Sequence, residues 1–214
     1  PAVFELAQVR PQDESSLGIA VAGNGSNWGG CRVWFSWDGT NYKNVGQITA
    51  PCRYGSLIGS AGNAVNAVAP VALTGTNTTL VSASEVAADN FATLCLVGDE
   101  LCTYSKATLV SAGHYDVSLR SRGSYGTAAI AHVSGDSFVR LDEAVFWHNI
   151  PADVIGSKLY IKLTAYNIYF AGEQSLSDVA AYTVTLASPS NGSGNGTGTA
   201  PVGFVLAAPF VGAV

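Results

Sequence analysis

The sequence predicts an all-β protein, and three observations support that prediction. Apolar and polar residues alternate in short runs, as at residues 93–96 and 115–120, and such alternation is typical of half-buried strands. Turn signals separate the runs, and the pair Gly98-Asp99 is the clearest of them. A helical period is almost absent between residues 91 and 141. We therefore expect an antiparallel β-sandwich or barrel-like domain with at most one or two short helices.

The other elements follow from the same signals along the chain. β-Branched and aromatic residues bounded by turn residues predict further strands at 3–8, 19–22, 31–37, 42–48, 71–73, 79–82, 132–141, 158–169 and 181–186. Serine is a favoured residue at a helix N-cap, so we predict one short helix from Ser84 to Asn90.

The composition changes abruptly near the end of the chain. Residues 1–187 have the β-rich pattern and form one domain or two subdomains, whereas residues 188–200 are rich in Gly, Ser, Asn and Thr and resemble a flexible linker. Residues 201–214 are too few to fold alone, and we interpret them as an extended arm or the start of a following domain. Because the chain starts at Pro1 and has no Met, we expect a piece of a longer or processed protein.

The charge balance limits the classes of partner. Charged residues make up 12% and hydrophobic residues 48% of the chain, against about 25% charged in typical soluble domains. Such a surface favours assembly against other proteins. The net charge of −5 argues against a nucleic-acid partner, and the apolar runs are shorter than a membrane span.

The residue types that usually carry catalysis are poorly placed. The acidic pairs are adjacent in sequence, so on a strand their side chains point to opposite faces; they are Asp13-Glu14, Asp99-Glu100 and Asp142-Glu143. The three histidines, His114, His132 and His148, are isolated from one another in the sequence. We therefore predict a protein that is not an enzyme, with no catalytic residues, no bound metal and no cofactor.

The four cysteines have no C-x-x-C spacing, which argues against a zinc site. If Gly98-Asp99 forms a two-residue loop, Cys95 and Cys102 lie opposite each other across a hairpin, within reach of a disulfide. The alternative is a pair of buried free thiols, which we favour if the protein assembles in a bacterial cytoplasm.

Two groups of side chains have alternative interpretations. Arg120, Arg122 and Arg140 could pair with Asp116, Asp136 and Asp142, with Arg120 and Arg122 on one face of an extended chain; structural ion pairs are favoured over ligand binding. Trp28, Trp34, Trp37 and Tyr42 predict a packed aromatic cluster. The alternative is a sugar-stacking platform, which would require Trp34 or Trp37 to be exposed.

Four motifs in order carry a resemblance to a known family. Residues 115–127 have the pattern Y-x-V-S-L-R-x-R-G-x-x-G-T, and residues 132–142 have H-x-x-G-D-x-F-V-x-L-D. Residues 27–39 supply a W-G-G hairpin and residues 165–179 a closing strand with Q-S-L-x-D-V. Together they resemble the tail-protein domain of long-tailed bacteriophages and gene transfer agents, the host-specificity, tail-tip hub or central-fibre proteins. The resemblance covers residues 1–187 and departs at Ser121, where the family has glycine.

The resemblance implies a structural component of a phage tail tip that takes part in tail assembly and host attachment. It implies a homotrimer in the virion, assembled in the bacterial cytoplasm, with the distal tail protein, the tape-measure protein and a host surface receptor as partners. Its matched residues are architectural rather than catalytic: Trp28, Gly29, Gly30, Arg120, Arg122, Gly123, Gly126, Thr127, Asn167 and Gln174. The alternatives from other classes are a carbohydrate-binding β-sandwich module and a polysaccharide depolymerase.

Overall fold

The computed structural model describes residues 2–6, 15–23, 25–186 and 204–205, and it confirms the all-β prediction. The described strands are β1 (Ala2–Leu6), β2 (Ser15–Ala20), β3 (Trp28–Ser36), β4 (Lys43–Ile48), β5 (Tyr54–Leu57), β6 (Val68–Thr74), β7 (Cys95–Val97), β8 (Glu100–Cys102), β9 (Tyr104–Ser111), β10 (His114–Leu119), β11 (Ser137–Arg140), β12 (Phe146–Ile150), β13 (Lys158–Asn167), β14 (Tyr182–Thr185) and β15 (Phe204–Val205). The α-helix α1 covers Glu85–Asp89.

The strands form three antiparallel sheets. The first sheet has the order β12-β2-β1-β15, the seven-stranded sheet has the order β8-β7-β11-β5-β6-β10-β9, and the second four-stranded sheet has the order β14-β13-β3-β4. Every strand pair within them is antiparallel.

The first sheet is a middle layer with a core on each face. Val3 and Ile19 pack into a core shared with the second four-stranded sheet. Their neighbours Phe4 and Ala20 point the other way and pack against the seven-stranded sheet, as the two-residue period of a strand requires. The seven-stranded sheet curls around a third core that includes Phe138.

Local signals predicted several elements correctly. Ser84 caps α1, since its Oγ accepts a hydrogen bond from the N–H of Ala87 at 3.1 Å. Gly98-Asp99 separates β7 from β8 in a two-residue hairpin.

Other predictions of strands were wrong. Residues 79–82 form no strand, and β5, β9 and β12 were not predicted. In β5, Gly55 lies so close to β6 that a Cβ atom would be 1.9 Å from the carbonyl oxygen of Ala72. A Gly-containing strand of this kind lacks the β-branched pattern used for prediction.

The predicted linker and arm lie outside the described residues, apart from β15. Within the arm, Val205 pairs with Ala2 of β1. The division of the chain at residue 187 therefore stays a prediction. Among the described residues no helix has the length and apolar character needed to cross a membrane.

Candidate assembly site

The structure brings the ten residues of the family motifs into two clusters. Arg120, Arg122, Gly123, Gly126 and Thr127 lie in the segment between β10 and β11, residues 120–136, which we call the crossing. The other five lie at one end of the second four-stranded sheet, which we call the sheet end: Trp28, Gly29, Gly30, Asn167 and Gln174.

A buried ion pair fixes the crossing to the β7–β8 hairpin. Arg122 donates to both carboxylate oxygens of Glu100, with Nε–Oε1 and Nη2–Oε2 distances of 2.7 Å each. The side chains are 4% and 0% exposed, respectively. The backbone N–H groups of Gly123 and Ile130 donate to the same carboxylate at 2.9 and 3.1 Å. Four donors from the crossing therefore converge on one buried carboxylate.

His132 extends this pair into a cluster of four side chains that also includes Asp136. Its Nε2 lies 3.0 Å from Oε2 of Glu100, and its Nδ1 lies 3.2 Å from Oδ2 of Asp136. His132 therefore bridges the carboxylates of Glu100 and Asp136 through its two ring nitrogens.

The environment of Glu100 holds it ionised. Burial alone would raise its pKa, but hydrogen bonds from Arg122, His132, Gly123 and Ile130 outweigh burial and lower the pKa to about 2. Because its oxygens are occupied by these donors and its side chain is buried, Glu100 has a structural role in this arrangement.

Glycines and a threonine shape the crossing around the cluster. Gly123 has a φ of +61°, and a Cβ atom there would lie 2.8 Å from the carbonyl oxygen of Thr127. The Oγ1 of Thr127 accepts from the N–H of Leu101 at 3.0 Å and donates to the carbonyl of Ser124 at 2.9 Å. Thr127 thereby joins the crossing to β8.

Arg120 binds different partners on the surface. Its Nε and Nη2 donate to the two oxygens of Asp89 at 2.8 and 2.9 Å, and its Nη1 lies 3.0 Å from Glu85. Ser121 adds a hydrogen bond to Asp89 at 3.2 Å. Its backbone has no positive φ, so serine fits here although the family has glycine.

The predicted ion-pair partners of the arginines were wrong, although structural ion pairs were the favoured interpretation. Arg140 donates to the carbonyls of Leu94 and Leu141 at 2.7 and 2.9 Å. Asp142 instead pairs with Arg53 at 2.5 Å. Asp136 pairs with His132, Asp116 pairs with none of the three arginines, and Arg120 and Arg122 bind separate carboxylates.

An exposed aromatic pair lies at the junction of α1 and the crossing. The rings of Phe91 and Tyr125 are 5.1 Å apart between centroids, and the residues are 42% and 37% exposed. Both have left-handed backbones, with φ values of 62° and 54°. Bulky residues seldom adopt that conformation, and strain of this kind is concentrated at functional positions.

At the sheet end, glycines allow strands to approach closely. A Cβ atom on Gly29 would lie 2.2 Å from the carbonyl oxygen of Asn167, and one on Gly30 would lie 2.5 Å from that of Ile48. Gln174 fixes the segment after β13 to that strand. Its N–H donates to the carbonyl of Ala165 at 2.9 Å, and its side-chain oxygen accepts from the N–H of Ala165 at 3.2 Å.

Asn167 shapes a turn that carries exposed apolar residues. Its Oδ1 accepts from the N–H groups of Tyr169 and Ala171 at 2.9 and 3.0 Å. Tyr169 and Phe170 are 79% and 75% exposed. The turn therefore presents aromatic surface beside the W-G-G hairpin.

The tryptophans divide between packing and exposure. Trp28 packs against the core shared by the two four-stranded sheets. The indole N–H of Trp34 donates to Oγ1 of Thr164 at 2.9 Å. Trp37 is 51% exposed, which meets the requirement of a sugar-stacking platform at that residue.

Cys95 and Cys102 are directly paired across the hairpin. Their sulfur atoms are 3.7 Å apart, and all four cysteines of the chain are buried free thiols. A hydrogen bond with Cys95, together with burial, raises the pKa of Cys102, so this thiol is protonated at neutral pH. Cys95 and Cys102 are therefore a pair of buried free thiols in this structure and do not form a disulfide.

Among the residues that the structure describes, no group of three or more His, Cys, Asp or Glu side chains could hold a metal ion. The cluster around Glu100 is an interlocked set of ion pairs and hydrogen bonds. The sequence did not predict this cluster, because the partners Arg122 and His132 lie 22 and 32 residues from Glu100.

Comparison with known proteins gives one partial similarity. No curated protein matches the chain. The family model described as Rcc01698-like, C-terminal, matches residues 45–139, less than half of the chain, and this family name occurs in gene transfer agent and phage-like contexts. The matched range contains β5 to β10, most of β11, and the complete Glu100–Arg122–His132–Asp136 cluster. The seven-stranded sheet and its crossing are therefore the part of this chain that is similar to that family.

Proposed function

We propose that the chain is a structural component of a phage tail tip, a hub or central-fibre base protein that takes part in tail assembly and host attachment. The observation that carries the proposal is the family-model match at residues 45–139, because it contains the whole motif at residues 115–127 and most of the motif at residues 132–142. The proposed location is the distal tail tip of the virion, after assembly in the bacterial cytoplasm.

The geometry supports an architectural role. The buried cluster joins the crossing to the β7–β8 hairpin, and the side chains of that cluster bind one another. Among the described residues, exposed aromatic side chains include the pair Phe91 and Tyr125, the turn residues Tyr169 and Phe170, and Trp37. Exposed apolar surface on a chain with few charges favours contact with other subunits.

The proposed partners follow from that role. A homotrimer, the distal tail protein and the tape-measure protein would cover apolar surface at the tail tip, and a host surface receptor would contact the distal side. In a closed trimer every copy contacts its two neighbours through the same two surfaces, and we propose that the Phe91–Tyr125 pair is part of one of them.

The test of location is immunogold labelling of tailed particles purified from the source culture, with antibody against residues 1–187. We expect gold at the distal tail tip of intact or partly disassembled tails, and none with antibody that was preabsorbed with the protein. Absence of label on both kinds of tail would overturn the virion assignment.

The test of the oligomer is sedimentation equilibrium of the full 214-residue chain and of a Tyr125→Ser variant. We expect a trimer mass for the wild type and weaker association for the variant. Tyr169→Ser is the matched control, because Tyr169 is also an exposed tyrosine but lies at the sheet end. A monomer at every concentration would contradict the trimer, and equal association of both variants would contradict the proposed patch.

A further inference from the structure

A shallow pocket lies beside the turn that follows β3, away from the crossing. Its volume is about 470 Å³, and it is lined by Trp37, Val154, Ser157, Lys158 and Tyr160. Two aromatic rings therefore stand beside a hydroxyl and an ammonium group. Apolar walls with a few polar groups are typical of small-ligand sites, and the volume is within their usual range.

Trp37 is held out on a rigid turn. Oδ1 of Asp38 accepts hydrogen bonds from Ser36 Oγ and from the N–H groups of Thr40 and Asn41, each at 2.8 Å. Its Oδ2 accepts from Nδ2 of Asn41 at 2.7 Å, and these hydrogen bonds lower the pKa of Asp38. A turn fixed in this way presents the half-exposed indole with little ordering left to lose on binding.

The polar groups of the pocket are available to a ligand. Within the described part of the chain, the Trp37 indole N–H, the Ser157 hydroxyl and the Lys158 ammonium have no hydrogen-bond partner. Trp34 differs from Trp37, because the indole N–H of Trp34 already donates a hydrogen bond to Thr164. The carboxylate of Asp38, next to Trp37, is engaged within its own turn.

We infer that this pocket binds a sugar, with one pyranose ring against Trp37. A pyranose has an apolar C–H face that suits an indole face, and hydroxyl groups at its edge that suit the donors of Ser157 and Lys158. Aromatic residues with a polar neighbour recognise such mixed surfaces. The inference concerns the ligand of this pocket and holds whether or not the chain is part of a virion, so failure of either proposal leaves the other intact.

The test is NMR titration of the ¹⁵N-labelled full chain with maltotriose, triacetylchitotriose and trigalacturonate. The chain has four tryptophans, so its spectrum has four indole N–H signals, and the signal missing from a Trp37→Ala variant identifies Trp37. We expect at least one oligosaccharide to shift that signal saturably. In Trp37→Ala and in Lys158→Ala, we expect affinity to fall by about tenfold or more, as for loss of a central binding side chain.

Tyr169→Ala is the matched control, because it removes a more exposed aromatic ring at the sheet end and should bind as the wild type does. Thermal unfolding of each variant checks that the fold persists, as expected for substitutions at exposed positions. The inference is overturned if none of the three sugars shifts the Trp37 signal, or if Trp37→Ala and Tyr169→Ala bind with equal affinity.

Discussion

Arg120 and Arg122 are separated by one residue, yet they act in different environments. The side chain of Arg122 is 4% exposed and faces a carboxylate that is 0% exposed. The side chain of Arg120 is 19% exposed, and its partners Glu85 and Asp89 are 67% and 48% exposed. Both arginines donate to two oxygens of one carboxylate, so each makes a bidentate ion pair, and the two pairs differ in their exposure to solvent.

This difference in exposure indicates which of the two ion pairs contributes more to the stability of the fold. Water replaces a lost partner at the surface, and exposed pairs therefore contribute little to stability. A buried charge has no such replacement, so removal of one partner leaves the other uncompensated. We expect the crossing to depend on the buried cluster and the docking of α1 to depend much less on Arg120.

The largest effect is expected for Glu100→Gln, which removes the carboxylate that Arg122 and His132 share. The buried guanidinium of Arg122 then faces a neutral amide, and we expect a loss of about 3–5 kcal/mol in the free energy of unfolding. Urea denaturation followed by far-UV circular dichroism measures the loss. Asp99→Asn is the matched control, because Asp99 is the exposed neighbour in the same hairpin and should stay near the wild type. An equal loss of unfolding free energy in Glu100→Gln and Asp99→Asn would mean that the buried carboxylate contributes no more to stability than the exposed one.

The same carboxylate predicts a pH dependence. The pKa of Glu100 is lowered from 4.5 to about 2 in the folded chain, so the unfolded chain binds a proton at a higher pH than the folded chain. The stabilising contribution is thus complete above about pH 4.5 and is lost as the pH falls towards 2. Thermal unfolding between those values should show a steeper decline for the wild type than for Glu100→Gln. Parallel declines would show that another group controls acid unfolding.

Sequence reasoning succeeded where structure is local. The N-cap at Ser84 and the two-residue loop at Gly98-Asp99 depend on neighbours within a few residues, and both are present. The resemblance also selected Arg122 and Gly123 before their contacts were known. The cluster itself could not be derived, because Glu100 and His132 meet only through the folding of distant strands. The contrast between Trp34 and Trp37 likewise depends on distant strands: Trp34 lies in β3 and bonds Thr164 of the paired strand β13, whereas Trp37 lies in the turn after β3 and is half exposed.

A third test alters the backbone that joins the two arginine sites. Gly123 has a left-handed φ of +61°, and a Cβ atom would lie 2.8 Å from the carbonyl of Thr127. Gly123→Ala should therefore destabilise the chain by about 1–3 kcal/mol through backbone strain and steric overlap. Gly62→Ala is the control, because a Cβ atom there meets open space and its φ is not positive. Chemical denaturation of both variants in parallel measures the difference, and equal stabilities would exclude strain at Gly123.

The smallest effect is expected for Arg120→Ala, although this substitution removes the contacts with Glu85 and Asp89 of α1. Water can solvate the released carboxylates because both are largely exposed, so the loss of unfolding free energy should be no more than about a quarter of that in Glu100→Gln. The two variants should also respond differently to salt: about 1 M NaCl should remove the deficit of Arg120→Ala, since exposed charges are screened, and leave that of Glu100→Gln largely unchanged. Urea denaturation at low and high salt measures both deficits. If the stability loss of Arg120→Ala persisted at high salt, its ion pair would behave like the buried pair of Arg122. The difference between the two arginines would then have to come from the geometry of their contacts and not from their exposure to solvent.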